Sequence, residues 1–203
     1  MNKRELLLSL ESQGISKSVL KSFNRVKRES FVLPNMKPHA YLNTALPIGY
    51  GQTISQPYTI AIMLDLLQPK RNQNLLEIGS GCGYVLALLS EIVGKKASVF
   101  GVERIKALAD TSKKTLKQHK NIKIYNKDGN NGLKLKSPFD RILISAAIKH
   151  VPEEILNQLK LNGLLVAPVG YYGESQDLHV IQRKKQKFEV IKKIPGFVFV
   201  PFV

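Results

Sequence analysis

The sequence predicts an α/β protein: a doubly wound, mostly parallel seven-stranded sheet with an antiparallel C-terminal hairpin and an N-terminal helical extension. Three observations carry that prediction. From about residue 74 onward, short apolar runs alternate with amphipathic helical segments. A glycine cluster, Gly79-Ser80-Gly81-Cys82-Gly83, stands where the first apolar run gives way to a helix. Near the C-terminus, two strand-like runs flank a basic turn.

The N-terminal part has helical spacing. Leu6, Leu8 and Leu10, then Val19, Leu20, Phe23 and Val26, recur on one face, with Gly14 as a stop and Ser16 as an N-cap between them. A long loop is predicted next, rich in Pro34, Asn35, Pro38, Asn43, Pro47, Gly49 and Gly51. Loops of that length in compact domains are usually functional or disordered. Thr53 or Ser55 is expected to cap a helix that starts near Pro57 and runs to Leu67.

The predicted strands are Leu75–Ile78, Ala97–Val102, Ile122–Tyr125, Phe139–Ile144 and Leu164–Val169, then Leu178–Gln182 and Phe188–Ile191 as the hairpin. Helices are predicted over Gly83–Val93, Ile105–His119 and Glu153–Leu159. With 203 residues and 43% hydrophobic content, the chain suits one domain over 1–203. Within it, 1–56 would form the helical extension and loop, and 57–203 the α/β core.

Composition removes several function classes. No apolar run approaches bilayer length, and Leu6-Leu7-Leu8 is too short for a signal-peptide core, so a cytoplasmic protein is expected. The single cysteine, Cys82, excludes an internal disulfide and a multi-cysteine zinc site, and the scattered histidines lack ligand spacing; no metal is expected. The formal net charge of +16 brings nucleic acid into consideration. The lysines are nevertheless spread along the chain. The densest patch, Arg183-Lys184-Lys185-Gln186-Lys187, lacks interleaved aromatics and reads as a solvated hairpin turn.

Three features bear chemistry at successive strand ends. The first is Leu76-Glu77-Ile78-Gly79-Ser80-Gly81-Cys82-Gly83. Glycines there let a ligand approach the backbone, and the helix behind would offer N–H groups. Tyr84 occupies the third-glycine place of G-x-G-x-x-G, so this is not the dinucleotide fingerprint. Its G-x-G-x-G spacing, with an acid two residues earlier, resembles the first motif of S-adenosylmethionine-dependent methyltransferases. The second is Glu103, which could accept both hydroxyls of a ribose or simply cap the next helix. The third is Asp128-Gly129, an ordinary turn pair whose aspartate could also accept an adenine amino group.

The segment Ala45-Leu46-Pro47-Ile48-Gly49-Tyr50-Gly51-Gln52-Thr53-Ile54-Ser55-Gln56-Pro57-Tyr58 is the most specific. From Leu46 onward it resembles the signature loop of the protein-L-isoaspartate O-methyltransferase family. Glu103-Arg104, Asp128-Gly129, Pro138-Phe139-Asp140, Ala167–Gly170 and Phe199–Pro201 are also similar to that family's sequence, in order along nearly the whole chain. The resemblance implies a Rossmann-like methyltransferase that binds S-adenosylmethionine and releases S-adenosylhomocysteine. It implies a catalytic role for Ser55 at the isoaspartyl carboxylate, with Gln56, Pro57, Tyr58 and Thr59 lining the cofactor. Gly79, Ser80 and Gly81 would cradle its methionine end, Glu103 its ribose, and Asp128 and Gly129 its adenine. The substrates implied are proteins and peptides carrying L-isoaspartyl residues. Their methyl esters would collapse to succinimides that hydrolyse partly to normal aspartate, which is repair.

Asn43, Cys82 and Ile148 replace the family's usual Asp, Ser and Pro, and with the chain ending at Val203 the C-terminal cofactor contacts are expected to be incomplete. Two rivals remain. An RNA methyltransferase would suit the charge, but Ser145-Ala146-Ala147-Ile148 stands where an adenine-N6 enzyme carries Asn/Asp-Pro-Pro-aromatic, and the one cysteine lies in the glycine loop. A decayed S-adenosylmethionine-binding module is the other.

Overall fold

The computed structural model describes residues 1–202. Two helices, α1 (Lys3–Ser12) and α2 (Lys17–Arg25), open the chain. Asn2 and Glu5 form a capping box at the head of α1. Ser16 stands at the N-cap position of α2, but its side chain bonds Asp65 and makes no cap. Val19 and Phe23 carry the buried face of α2 against α4 (Tyr84–Val93).

The segment predicted as a loop is more ordered than the sequence suggested. It contains a 3-10 turn (Pro34–His39) and a small antiparallel hairpin of β1 (Leu46–Gly49) and β2 (Gln52–Ile54). Tyr50, at φ 56°, and Gly51, at φ 69°, make its tight turn. The helix α3 (Pro57–Leu67) follows, with Pro57 at its first position.

The central sheet has seven strands in the order β5-β4-β3-β6-β7-β8-β9. β3 (Asn74–Ile78), β4 (Ser98–Glu103), β5 (Ile122–Asn126), β6 (Phe139–Ile144) and β7 (Leu159–Val169) run parallel. The middle strands are nearly continuous apolar runs because helices cover both faces. β8 (Gln176–Arg183) is antiparallel to both β7 and β9 (Phe188–Phe197), which forms the sheet's edge. The basic segment after Arg183, residues 184–187, is the turn of this hairpin, with Lys185, Gln186 and Lys187 exposed. The α/β fold with its antiparallel C-terminal hairpin and N-terminal helices is therefore observed.

Several boundaries differ, and α5 (Lys106–Thr115) ends short of the predicted His119. The helix expected over 153–159 is only α6 (Glu153–Leu156), because Leu159 already pairs with Phe139. β7 passes through an irregularity at Asn162, φ 62°, which hid its beginning. β9 runs well beyond Ile191 and includes Pro195. An edge strand tolerates a proline because its outer N–H has no partner to lose. Apolar packing forms on both faces of the sheet: Leu75, Leu143 and Val166 face α3 and α4, while Leu76, Ile142 and Leu165 pack on the other side. No helix among the described residues is long and apolar enough to cross a membrane.

Candidate active site

The strand order reverses between β3 and β6, and the crevice at their carboxyl ends is where such sheets bind ligands. A cavity of about 290 Å³ lies there. Gly79 and Gly81 from the loop after β3 line it, with Glu103 from the end of β4, Gly129, and Ser145 and Ala146 after β6. Ile48, Gln52 and Thr53 of the small hairpin close it from one side, and Val200, Pro201 and Phe202 from another. A smaller chamber of about 40 Å³ adjoins it and shares Thr53, Gly79, Gly81 and Ser145. Ser55, Glu77, Ser80, Cys82 and Tyr84 line this second space.

Gly79, Gly81 and Gly83 have φ of 79°, 51° and 84°, a region that side-chain-bearing residues rarely adopt. The loop's N–H groups are already used. Gly79 and Ser80 donate to the Val102 carbonyl at 2.9 and 3.1 Å, Gly81 donates to Glu103, and Gly83 donates to the Ser80 carbonyl at 2.8 Å. These four positions therefore offer close approach to the backbone, while their own N–H hydrogen bonds stay within the protein.

Glu103 is buried, 6% exposed. One carboxylate oxygen accepts the Gly81 N–H at 2.8 Å and the other accepts the Ile105 N–H at 2.8 Å. It thus ties the glycine loop to Ile105, the residue before α5 (Lys106–Thr115), and faces the cavity. Each carboxylate oxygen has a second lone pair to offer. Gly129 is required by contact, since a Cβ there would lie 2.4 Å from the Ile78 Cγ2. Asp128 does not line the cavity. Its carboxylate turns onto the N–H and side-chain amide of Asn130, at 2.8 and 3.2 Å, and these bonds lower its pKa.

Ser55 is half-buried and does not cap α3. Asn43 does that instead: its side-chain oxygen accepts the Tyr58 N–H at 3.0 Å. The capping role expected of Thr53 or Ser55 is corrected accordingly. Thr53 sits on β2 and Ser55 comes one residue before the cap position. Gln56, Pro57, Tyr58 and Thr59 line neither space. Gln56 bonds the Asn43 carbonyl and Thr59, while Tyr58 faces a separate groove beside Ile62 and Ile194.

Three features of the site were assigned no role from the sequence. Glu77 is 1% exposed; Ser145 donates to one of its oxygens at 2.8 Å, and the other has no partner. Burial pushes its carboxyl pKa up to about 8, the Ser145 bond pulls it back, and nearby Glu103 adds to the rise. Its place two residues before the glycines was a usable signal. Arg28 is fully buried and donates to the Ser55 carbonyl at 2.9 Å. The C-terminal wall is the third: Ala147 donates to the Val200 carbonyl at 2.8 Å, and Phe202 donates back to Ala147 at 2.9 Å. Residues 200–202 line the cavity and form part of its wall.

Residues 1–203 match the family described as Protein-L-isoaspartate(D-aspartate) O-methyltransferase (PCMT). A protein-L-isoaspartate O-methyltransferase of Aliivibrio salmonicida is 45% identical, the alignment covering 100% of this chain and 97% of the relative. Among solved structures, one named protein-L-isoaspartate O-methyltransferase superposes with a TM-score of 0.90 at 25% identity, over 98% of this chain and 65% of that longer chain. A Plasmodium falciparum protein of the same description, solved in complex with S-adenosyl-L-homocysteine, gives a TM-score of 0.87 at 26% identity, over 100% of this chain and 99% of that one. With the full-length match, the shared sheet and the cavity at its switch point, this chain belongs to the protein-L-isoaspartate(D-aspartate) O-methyltransferase family.

Proposed function

We propose that the chain methylates the carboxylate of L-isoaspartyl residues in proteins and peptides, using S-adenosylmethionine, with Ser55 at the reacting carboxylate. The observation that carries this reading is the junction of the two spaces. The cavity bearing Gly79, Gly81, Glu103 and Gly129 opens beside the chamber bearing Ser55, and Thr53 and Gly81 border both.

The residues fit the cofactor on their own chemistry. Glu103 offers its remaining lone pairs to a ribose. The unpartnered Glu77 oxygen suits a cationic group such as the methionine ammonium, for which the bare backbone of Gly79, Ser80 and Gly81 leaves room. The apolar ring of Phe202 and the backbone of Gly129 suit a flat base. Asp128 is within one residue of that wall and would have to share its carboxylate with Asn130. Gln56, Pro57, Tyr58 and Thr59 serve the site by holding Ser55 at the head of α3, not by lining it.

When bound, S-adenosylmethionine supplies a methyl group on a sulfonium, already a good donor. A substrate carboxylate is ionised at neutral pH, so no general base is needed. What remains for the protein is orientation and exclusion of water. Ser55 can hydrogen-bond the carboxylate and fix its approach. The hairpin residues Ile48, Gln52 and Thr53 and the C-terminal residues Val200 to Phe202 shield the cavity's flanks. The Cys82 thiol, pushed up to about 11 by burial, is no nucleophile at neutral pH.

The test supplies methyl-labelled S-adenosylmethionine with an isoaspartyl peptide and total RNA in one reaction. Label is expected in the peptide as a base-labile ester. Label in the RNA alone would overturn the reading.

A further inference from the structure

Arg28 lies in the short 3-10 turn that follows α2, and its side chain is fully buried. One terminal nitrogen, Nη2, donates to the Ser55 carbonyl at 2.9 Å, while Nε and Nη1 have no hydrogen-bond partner. The guanidinium carbon sits 5.2 Å from the centre of the Tyr84 ring, which lines the chamber that also holds Ser55 and Cys82. Among the described residues no carboxylate forms an ion pair with it. The groups that influence it most are weak acids. Burial raises the Tyr84 and Tyr41 hydroxyls and pushes the Cys82 thiol up to about 11, so all three are neutral at neutral pH.

A guanidinium cannot escape this situation by losing its proton. Burying a cation without a counter-ion is costly, and an apolar side chain of similar volume would avoid the cost. Holding one carbonyl does not call for a full charge with two idle donors. The residue makes sense if a negative charge arrives from outside. The carbonyl it holds belongs to Ser55, and the reading given above brings an isoaspartyl carboxylate to that residue.

We infer that Arg28 is a positioning residue whose counter-ion is the substrate: its buried charge, fixed beside Ser55, makes the site select an ionised carboxylate over a neutral isostere. This rests on the isoaspartyl reading. It adds a specificity element that acts through the Ser55 segment by electrostatic field, without requiring contact with the methyl donor. Burial strengthens the interaction of such a charge with another at a given distance relative to bulk water, so a charge fixed beside the site can discriminate between charged and neutral ligands.

The test compares two peptides of the same sequence, one isoaspartyl and one isoasparaginyl, as ligands of the full-length protein saturated with S-adenosylhomocysteine. The wild type is expected to prefer the carboxylate. Arg28→Met should reduce that preference by about tenfold or more, leave cofactor affinity within about twofold, and melt no lower than wild type. Arg28→Lys, which keeps a charge and loses the fork, should retain most of the preference. A purely structural arginine would weaken both peptides together and leave their ratio unchanged, and that result overturns the proposal. If Arg28→Met does not fold, the lysine variant decides: loss of carboxylate preference there overturns it as well. A wild type that binds neither peptide overturns the isoaspartyl reading and this inference with it. An unchanged ratio in an otherwise selective enzyme removes Arg28 alone.

Discussion

The side-chain oxygen of Asn43 accepts the backbone N–H of Tyr58 at 3.0 Å, across 15 residues of chain. The return bond, from the Gln56 side-chain amide to the Asn43 carbonyl at 3.0 Å, makes the link reciprocal. Asn43 thereby does for α3 what an N-cap residue does for its own helix, and it fixes the start of the hairpin relative to Ser55. Asn43→Ala should destabilise the protein by about 1 kcal/mol. Asn43→Asp keeps the acceptor and puts a negative charge at a helix N-terminus, so it should melt at or above the wild-type temperature. Thermal melts of the two variants check both directions.

Because Asn43 supplies the cap, Ser55 is free of that duty, and the consequences of removing its hydroxyl separate cleanly. Ser55→Ala should leave the melting temperature within about 1–2 °C of wild type, since no cap is lost. Turnover of an isoaspartyl peptide should fall by about tenfold or more, because a misoriented carboxylate is costly in an in-line displacement. Cofactor affinity should stay near wild type. Melting curves, calorimetry and initial rates on one preparation distinguish these outcomes.

Glu77 titrates near neutrality, at about 8, against an ordinary 4.5. Its folded-state pKa is raised, so its contribution to stability is full below the ordinary value and is lost as pH climbs through about 8. Glu77→Gln keeps an acceptor for Ser145 and removes the titration. The cofactor-free variant should match wild type near about pH 5 and melt higher by roughly 10 °C at about pH 9. With the cofactor the sign reverses: the variant should bind it more weakly. Wild-type binding near neutral pH should release a proton, seen as a heat that depends on the buffer.

Glu103 joins two loops and faces the cavity, so its loss should register twice. Glu103→Ala should weaken S-adenosylmethionine by roughly ten- to a hundredfold, the equivalent of about 1.5–3 kcal/mol of charge-assisted hydrogen bonding. The freed N–H groups of Gly81 and Ile105 should also lower stability by about 1–3 kcal/mol. Titration calorimetry below the variant's melting range measures the first effect without the second.

The parallel core was legible because burial on both faces writes itself as apolar runs such as Leu75–Ile78 and Phe139–Ile144. The glycine loop, Glu103 and Gly129 could be placed because each follows such a run. What was hidden depends on contacts distant in sequence. Asn43 caps a helix 15 residues away, so Ser55 looked like the natural cap. The β1–β2 hairpin turns on Tyr50 in a left-handed conformation, which few sequences advertise. Arg28 stands among Lys27 and Glu29 in a charged stretch, and only the packing of Tyr84 and the Ser55 carbonyl around it shows that it is inside. The C-terminal wall was underestimated because residues 200–202 act by pairing with Ala147, a bond that no local pattern signals.

The central claim is that the site presents an isoaspartyl carboxylate, and not a normal side-chain carboxylate, to the methyl donor. The direct measurement is kcat/KM for an isoaspartyl peptide and its aspartyl twin, with S-adenosylmethionine saturating and ester formation followed by release of base-labile methanol. The account predicts efficient methylation of the isoaspartyl peptide, at least about a hundredfold favoured over the twin, since a displaced carboxylate loses the in-line geometry. Equal methylation of both peptides, or of neither by a protein that binds the cofactor, would contradict it.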